Sequence, residues 1–317
     1  MPDTTKPLDE ANAKPFHVEL KDALVEYRTR HNLSLVELGQ QLASNATQVS
    51  RYLNGKPVGD VDRLEDIIED VLKNEHRRKE SRGKLFTTPV SHALAGTCEI
   101  IRETNDMGLV FGPAGIGKSC AIELYAAANP TSIPATTTTW RCTGQAIEAL
   151  ICAGVSMRGW GGNTNRGTYL TSKLSGSNRL IIVDNAHKLR QSGLAWLFDF
   201  HDATQCPIAL VGNPSVLDVI RQNDQWFSRI GIKRELRVNP KSARSISTQL
   251  LQTLLPEAAT ELQDLCEQVA EHQGHFRAVR KQLLLARKIR ENEKETPAWP
   301  DAFRMAHSQL IRDYAIA

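Results

Sequence analysis

The sequence predicts an α/β core with a mostly parallel sheet, closed by a helical lid and preceded by an all-α domain. Three observations carry this. From Phe16 to Arg78 the pattern is wholly helical, with repeated capping signals. From about Phe86 to Leu236, helical patterns alternate with short β-type runs, and after Pro240 the chain returns to helices. Strands that alternate with helices argue for a parallel sheet with helices on both faces.

At 317 residues the chain has room for two or three domains. It is 41% hydrophobic and 24% charged, the balance of an ordinary soluble globular protein. No apolar run is long enough to cross a bilayer, and "MPDTTKPLDEANAKPF" lacks the apolar core of a signal peptide. A cytoplasmic protein with no membrane partner is expected. Six dispersed cysteines (Cys98, Cys120, Cys142, Cys152, Cys206, Cys266) show no metal-ligand spacing and are expected to stay reduced. A net charge of +3 does not by itself predict nucleic-acid binding, so charge clusters matter more.

Residues 1–15 read as a disordered leader. In residues 16–78, "LSLVELGQQLASNATQVSRYLNGK" reads helix, tight turn, helix. Ser34 with Glu37 makes a capping box, and Asn45 with Gln48 repeats a similar cap. Leu35, Leu38, Leu42, Val49 and Leu53 fall at core spacing, and Gly55 closes the second helix. Leu20, Leu24 and Tyr27 supply a preceding helix; Val61, Leu64, Ile68, Val71 and Leu72 supply a following one. The pattern resembles the helix-turn-helix of phage Cro and repressor proteins. That resemblance implies that Thr47, Gln48, Ser50, Arg51 and Asn54 face a DNA major groove. A nonspecific grip on double-stranded DNA is the first reading and a protein-contact bundle the second. The basic run "KNEHRRKESRGK" leads into a linker at 79–88.

Five β-type runs follow: 108–112, 136–142, 179–184, 207–212 and 232–238. The first ends in "VFGPAGIGKSC", a full G-x-x-x-x-G-K-[ST] pattern between a strand and a helix. Its glycines let backbone N–H groups turn toward phosphates, and the helix N-terminus adds a positive dipole end. Lys118 can then reach the β- and γ-phosphates and Ser119 can ligate Mg²⁺. In "RLIIVDNAHKL", Asp184 at the end of an apolar strand completes the Mg²⁺ shell, so Ser119 and Asp184 form the expected metal pair.

These motifs and their order resemble the AAA+ ATPases of DNA transposition, of the phage Mu B type, and more distantly the insertion-sequence helper ATPases and TnsC. The fold implied is an α/β phosphate-loop AAA+ core (89–238) with a helical lid and C-terminal region (239–317), preceded by an all-α helix-turn-helix domain. Gly112, Gly115, Gly117, Lys118, Ser119 and Cys120 become the nucleotide loop, with ATP and Mg²⁺ as ligands. In most phosphate-loop ATPases a glutamate follows the strand aspartate; here Asn185 stands in its place. An amide accepts no proton, so slow hydrolysis is expected. His187 and the pair His201–Asp202 are candidates to assist. "PIALVGNPSVL" is similar to the sensor-1 strand, which makes Asn213 the water-orienting residue; it also reads as a helix cap. "FSRIGIKREL" is similar to the arginine-finger segment, with Arg229 the finger and Arg221 or Arg234 as substitutes. "GHFRAVRKQLL" is similar to the sensor-2 helix, with Arg277 over the nucleotide.

The Gly- and Asn-rich segment 157–179 carries Arg158, Arg166, Lys173 and Arg179. In the family this region lines the DNA-tracking face, so Arg158, Arg166, Thr168 and Lys173 are candidates for phosphate contacts; a surface loop with incidental cations is the competing reading. The lid helix "FRAVRKQLLLARKIR" carries six cations and no acid, which favours a nearby polyanion. The resemblance implies an ATP-dependent helical oligomer on double-stranded DNA that recruits a transposase. A transcriptional regulator and a replication-initiator or helicase-loader ATPase are the alternatives.

Overall fold

The computed structural model describes residues 17–310 except 31–32, 57, 83–84, 156–164, 273 and 294–295. The leader 1–15, Arg158 and the chain from 311 lie outside the described residues. Two compact units are present, Met1–Gly83 and Lys84–Ala317.

The first unit is helical, with α1 (Val18–Arg30), α2 (Leu35–Gln41), α3 (Ala46–Leu53) and α4 (Val61–Arg82). Ser34 Oγ accepts the Glu37 N–H at 3.2 Å while Glu37 Oε2 accepts the Ser34 N–H at 2.9 Å. Asn45 Oδ1 caps α3 by accepting the Gln48 N–H at 2.8 Å. The turn between them is close, because a Cβ on Gly39 would lie 2.9 Å from the Ser44 carbonyl. Leu24, Leu38, Leu42, Val49, Leu64 and Ile68 form the core around Tyr52. Leu35 and Leu53, expected among them, only flank it. Tyr52 enters the core because its hydroxyl donates to Glu65 Oε1 at 2.9 Å, which satisfies the polar end. Helix α4 runs into the stretch read as linker, since no glycine or proline interrupts it before Gly83 and Lys and Arg sustain helices.

In the second unit, α5 (Pro89–Thr104), β1 (Met107–Phe111), α6 (Lys118–Ala128), β2 (Ile133–Thr136), α7 (Gly144–Gly154) and α8 (Arg166–Leu174) lead to β3 (Ile181–Asp184). Then come α9 (Gln191–Thr204), β4 (Ile208–Gly212), α10 (Ser215–Arg221), α11 (Asp224–Ser228) and β5 (Ile230–Glu235). The lid holds α12 (Pro240–Leu254), α13 (Ala259–Glu271), α14 (His275–Asn292) and α15 (Trp299–Gln309). The sheet is parallel throughout, in the order β2-β3-β4-β1-β5.

Alternate strand residues feed two cores. Met107, Leu109, Ile181, Val183, Ile208 and Leu210 pack with α7, α8 and α9. Val110, Leu180, Ile182, Ala209 and Val211 face α5 and α6. Burial on both faces explains why these strands read as continuous apolar runs.

Two readings are corrected. "TTTTWRC" (136–142) is not a strand: β2 ends at Thr136, and a single antiparallel bridge joins Thr138 to Arg141. The true strand contains Pro134, tolerated because β2 is an edge and its missing N–H lies on the open side. The segment around Arg166, for which a surface loop is the competing reading, contains a capped helix, α8, whose Asn165 Oδ1 accepts the Gly167 N–H at 2.8 Å.

In the lid, Ala302, Phe303 and Ala306 of α15 join the apolar cluster of α12, α13 and α14. Gln282 is buried there, donating to the Phe303 carbonyl at 3.1 Å and lying 3.2 Å from His307 Nδ1. The C-terminal helix is thus part of the lid. Replacing the fully buried Phe303 with Ala is expected to cost about 3–5 kcal/mol. Hydrogen exchange should then rise in α12–α15 first; a spread over the sheet instead would show that lid and core unfold as one.

Candidate nucleotide-binding site

Strand order fixes the site. With β4 between β1 and β3, the carboxyl ends of three neighbouring strands present the phosphate loop, Asp184 and Asn213 together. In open parallel sheets ligands bind outside the carboxyl ends, where the order of strands switches.

The loop after β1 has Gly115 at φ +94° and Gly117 at φ +97°, values that favour glycine. Gly117 is the N-cap of α6, which directs the first free N–H groups of that helix at the loop. Lys118 Nζ donates to the carbonyls of Gly112 and Pro113, both at 2.7 Å, and to Asn213 Oδ1 at 3.3 Å. Burial, opposed by Asp184 and aided by Arg277, pulls the Lys118 ammonium down to about 8. Ser119 Oγ donates to Asp184 Oδ2 at 2.7 Å, while Asp184 Oδ1 accepts the Asn185 N–H at 2.8 Å. Cys120, on the first turn of α6, is exposed.

Asn185 has φ +57° and ψ +35°, a left-handed conformation that Asn adopts more readily than Glu. Thr137 fastens it, its hydroxyl lying 2.8 Å from the Asn185 carbonyl and 3.0 Å from that of Asp184. His187, on the turn beyond, reaches Asn213. Burial first, then Lys188 and Lys118, lower the His187 pKa.

The lid touches the loop through backbone. The Arg277 N–H donates to the Gly115 carbonyl at 3.2 Å, and a Cβ on Gly115 would fall 2.1 Å from the Gly274 carbonyl. This brings Arg277 near Lys118.

Arg229 stands elsewhere. Ile230 pairs with Met107, the first residue of β1, so Arg229 is about 13 Å of strand away from the loop end. Its guanidinium grips Asp202, with Nε 3.1 Å from Oδ1 and Nη2 2.8 Å from Oδ2. His201 and Asp202 therefore do not join the Asp184 end of the sheet. They close α9 at the amino end of the strands, where buried His201 Nδ1 lies 2.9 Å from the Cys206 carbonyl. Of the substitutes for Arg229, Arg221 ends α10 and Arg234 lies in β5, both exposed.

Thr47, Gln48 and Arg51 are exposed along α3, and Arg166, Thr168 and Lys173 along α8. Arg179 is engaged, donating to the Thr131 carbonyl at 2.7 Å and the Gly154 carbonyl at 3.4 Å. The reading of the sequence missed the Gly274–Gly115 approach, the Thr137 clamp and the Asp202 grip. None has a local signal, since each joins segments far apart in the chain.

Residues 101–220 match the family model described as "AAA domain". The chain is 24% identical over 205 residues to the Mu-like prophage FluMu DNA transposition protein B of Haemophilus influenzae, covering 62% of this chain and 70% of that protein. Among solved structures, Cdc6p from Pyrobaculum aerophilum superposes with TM-score 0.52 at 14% identity, over 71% of this chain and 69% of that one. The Thermotoga maritima RuvB Holliday junction branch migration motor gives TM-score 0.45 at 17% identity, over 70% and 68%. Fold, loop and the domain match together define an AAA+ fold. Within that fold the chain is similar to a Mu-like transposition protein B.

The lowered Lys118 predicts a pH dependence of nucleotide binding. Below about pH 8 the ammonium is already charged and binding takes up no proton. Above it, phosphate must recharge the amine, so ATP affinity should fall by up to about tenfold per pH unit. Calorimetry from pH 7 to pH 9.5 checks this, with Lys118→Arg expected to flatten the profile. A flat wild-type profile would show that Lys118 is not held low.

Proposed function

We propose that the chain is an ATPase that assembles on double-stranded DNA in its ATP-bound form and presents that DNA to a transposase. The observation that carries this is the division of the site. Lys118, Ser119, Asp184 and Asn213 converge at the carboxyl ends of the strands, while Arg229 lies a strand's length away at their amino ends. Arg229 does not serve its own nucleotide and is suited to that of a neighbouring copy.

In this reading the α6 N-terminus and loop amides hold the phosphates, Lys118 neutralises them and Arg277 covers them from the lid. The Ser119 hydroxyl and Asp184 carboxylate, 2.7 Å apart, are hard oxygen donors of the kind Mg²⁺ takes along with phosphate oxygens. Bound there, the cation would offset charge on the β- and γ-phosphates. Asn213 orients the water, and Asn185 hydrogen-bonds it without accepting its proton, which makes turnover slow. The γ-phosphate then joins two copies through Arg229, and hydrolysis loosens the joint.

DNA contact is assigned to Arg166, Thr168 and Lys173 of α8 and to Thr47, Gln48 and Arg51 of α3, as sequence-tolerant phosphate binding. The capped α2–α3 pair with its exposed polar face also favours a second reading, an ATP-dependent transcriptional regulator. Phosphate release measured with sedimentation, with and without nonspecific duplex, separates them. DNA-stimulated turnover with ATP-dependent assembly supports the first; tight binding to one short sequence without assembly supports the second.

Arg229→Ala should bind ATP as a monomer, fail to assemble and hydrolyse about a thousandfold more slowly. Asp202→Ala frees Arg229 and should leave assembly intact or tighter. Normal assembly of Arg229→Ala places the finger at another arginine. Asn185→Glu should raise turnover while losing about 1 kcal/mol to its left-handed backbone; unchanged turnover would mean that another group already polarises the water.

A further inference from the structure

The Asn213 side chain offers one acceptor oxygen, and two donors bracket it. Lys118 Nζ lies 3.3 Å from Oδ1, and His187 Nε2 lies 3.5 Å from Nδ2. Lysine can only donate. The imidazole's role follows from its other nitrogen: the main-chain N–H of Asn213 donates to His187 Nδ1 at 3.3 Å. A neutral ring that accepts at Nδ1 carries its proton on Nε2. That Nε2–H faces the amide NH₂, a donor against a donor. Turning the amide over moves the mismatch to Lys118. One oxygen serves two donors, whichever way the amide lies.

The ring is held in place to do this. Gly212 leaves room for it at the tip of β4, where a Cβ would lie 3.1 Å from the His187 main-chain nitrogen and 3.3 Å from Nδ1. The Asn213 main-chain N–H bond to Nδ1 ties the turn after β3 to the tip of β4.

We infer that His187 is a positioning residue for Asn213, acting through the orientation of its amide. The inference rests on the ATP site proposed above. When Lys118 swings from Asn213 to a nucleotide phosphate, the amide turns, gives its oxygen to His187 Nε2–H and points its NH₂ at the phosphate. No covalent bond changes and no proton is transferred; one hydrogen bond replaces another. The nucleotide thereby sets the conformation of the residue that orients water.

Two measurements on the full chain test this. The first uses ¹⁵N-labelled histidine, with the His187 signals identified by their loss in His187→Gln. Adding AMP-PNP with Mg²⁺ should move the His187 Nε2 signal in the wild type and not in Asn213→Ala. Binding of AMP-PNP by calorimetry without that movement overturns the inference. Failure to bind AMP-PNP overturns the ATP-site reading itself. The second is single-turnover hydrolysis. His187→Ala should slow it about tenfold with ATP affinity changed by less than about twofold, and His187→Gln, which keeps a donor and an acceptor, should recover most of the rate. In an Asn213→Ala background, His187→Ala should cost nothing more. A further loss there would mean that the imidazole acts on the water directly, and the positioning role would be wrong.

Discussion

The site depends on one topological constraint: β4 runs between β1 and β3 in a sheet buried on both faces. Buried strands leave their side chains no freedom of register, because a slip of one residue would exchange the two cores. Strand tips are therefore fixed to within a residue. Asp184 ends β3, Asn213 follows β4 and the glycine loop follows β1. Three short polar segments from distant parts of the chain meet because apolar residues beneath them cannot move.

Polar groups near such a core need partners, and here they find one another. Lys118 is held by two carbonyls and an amide, Ser119 by Asp184, and Asp184 also by the following main-chain N–H. Partial burial raises the cost of charge on Lys118, and among the described residues no carboxylate bonds it directly to offset that cost. Phosphate is a better partner than a carbonyl for an ammonium held this way. The exposed Arg229–Asp202 pair is different, since solvent screens it and little is lost when it opens.

Much of this was legible in the sequence because its signals are local. The spacing from Gly112 to Ser119, the apolar run ending at Asp184, the capping residues Ser34 and Asn45, and Pro240 at the start of the lid all act over a few residues. Threonine is β-branched, so the run 136–139 looked more like a strand than "IPAT" did; the edge position that tolerates Pro134 is a property of the sheet. Tyr52 gave no sign of full burial, because its hydroxyl finds Glu65 only after α3 and α4 pack. The His187–Asn213 contact and the Asp202 grip on Arg229 likewise require the fold before they exist.

The approach of Gly115 to Gly274 has a consequence for heredity and engineering. Gly115 cannot acquire a side chain while the Gly274 backbone stays where it is, and Gly274, at φ +96°, holds a conformation that favours glycine. Loop and lid are consequently one inherited part, although most of the core lies between them in the chain. A chimera that takes its lid from a relative with a different entry into α14 would have to take the phosphate loop as well. The natural border for exchanging modules runs around this pair of glycines, across the apparent boundary between core and lid.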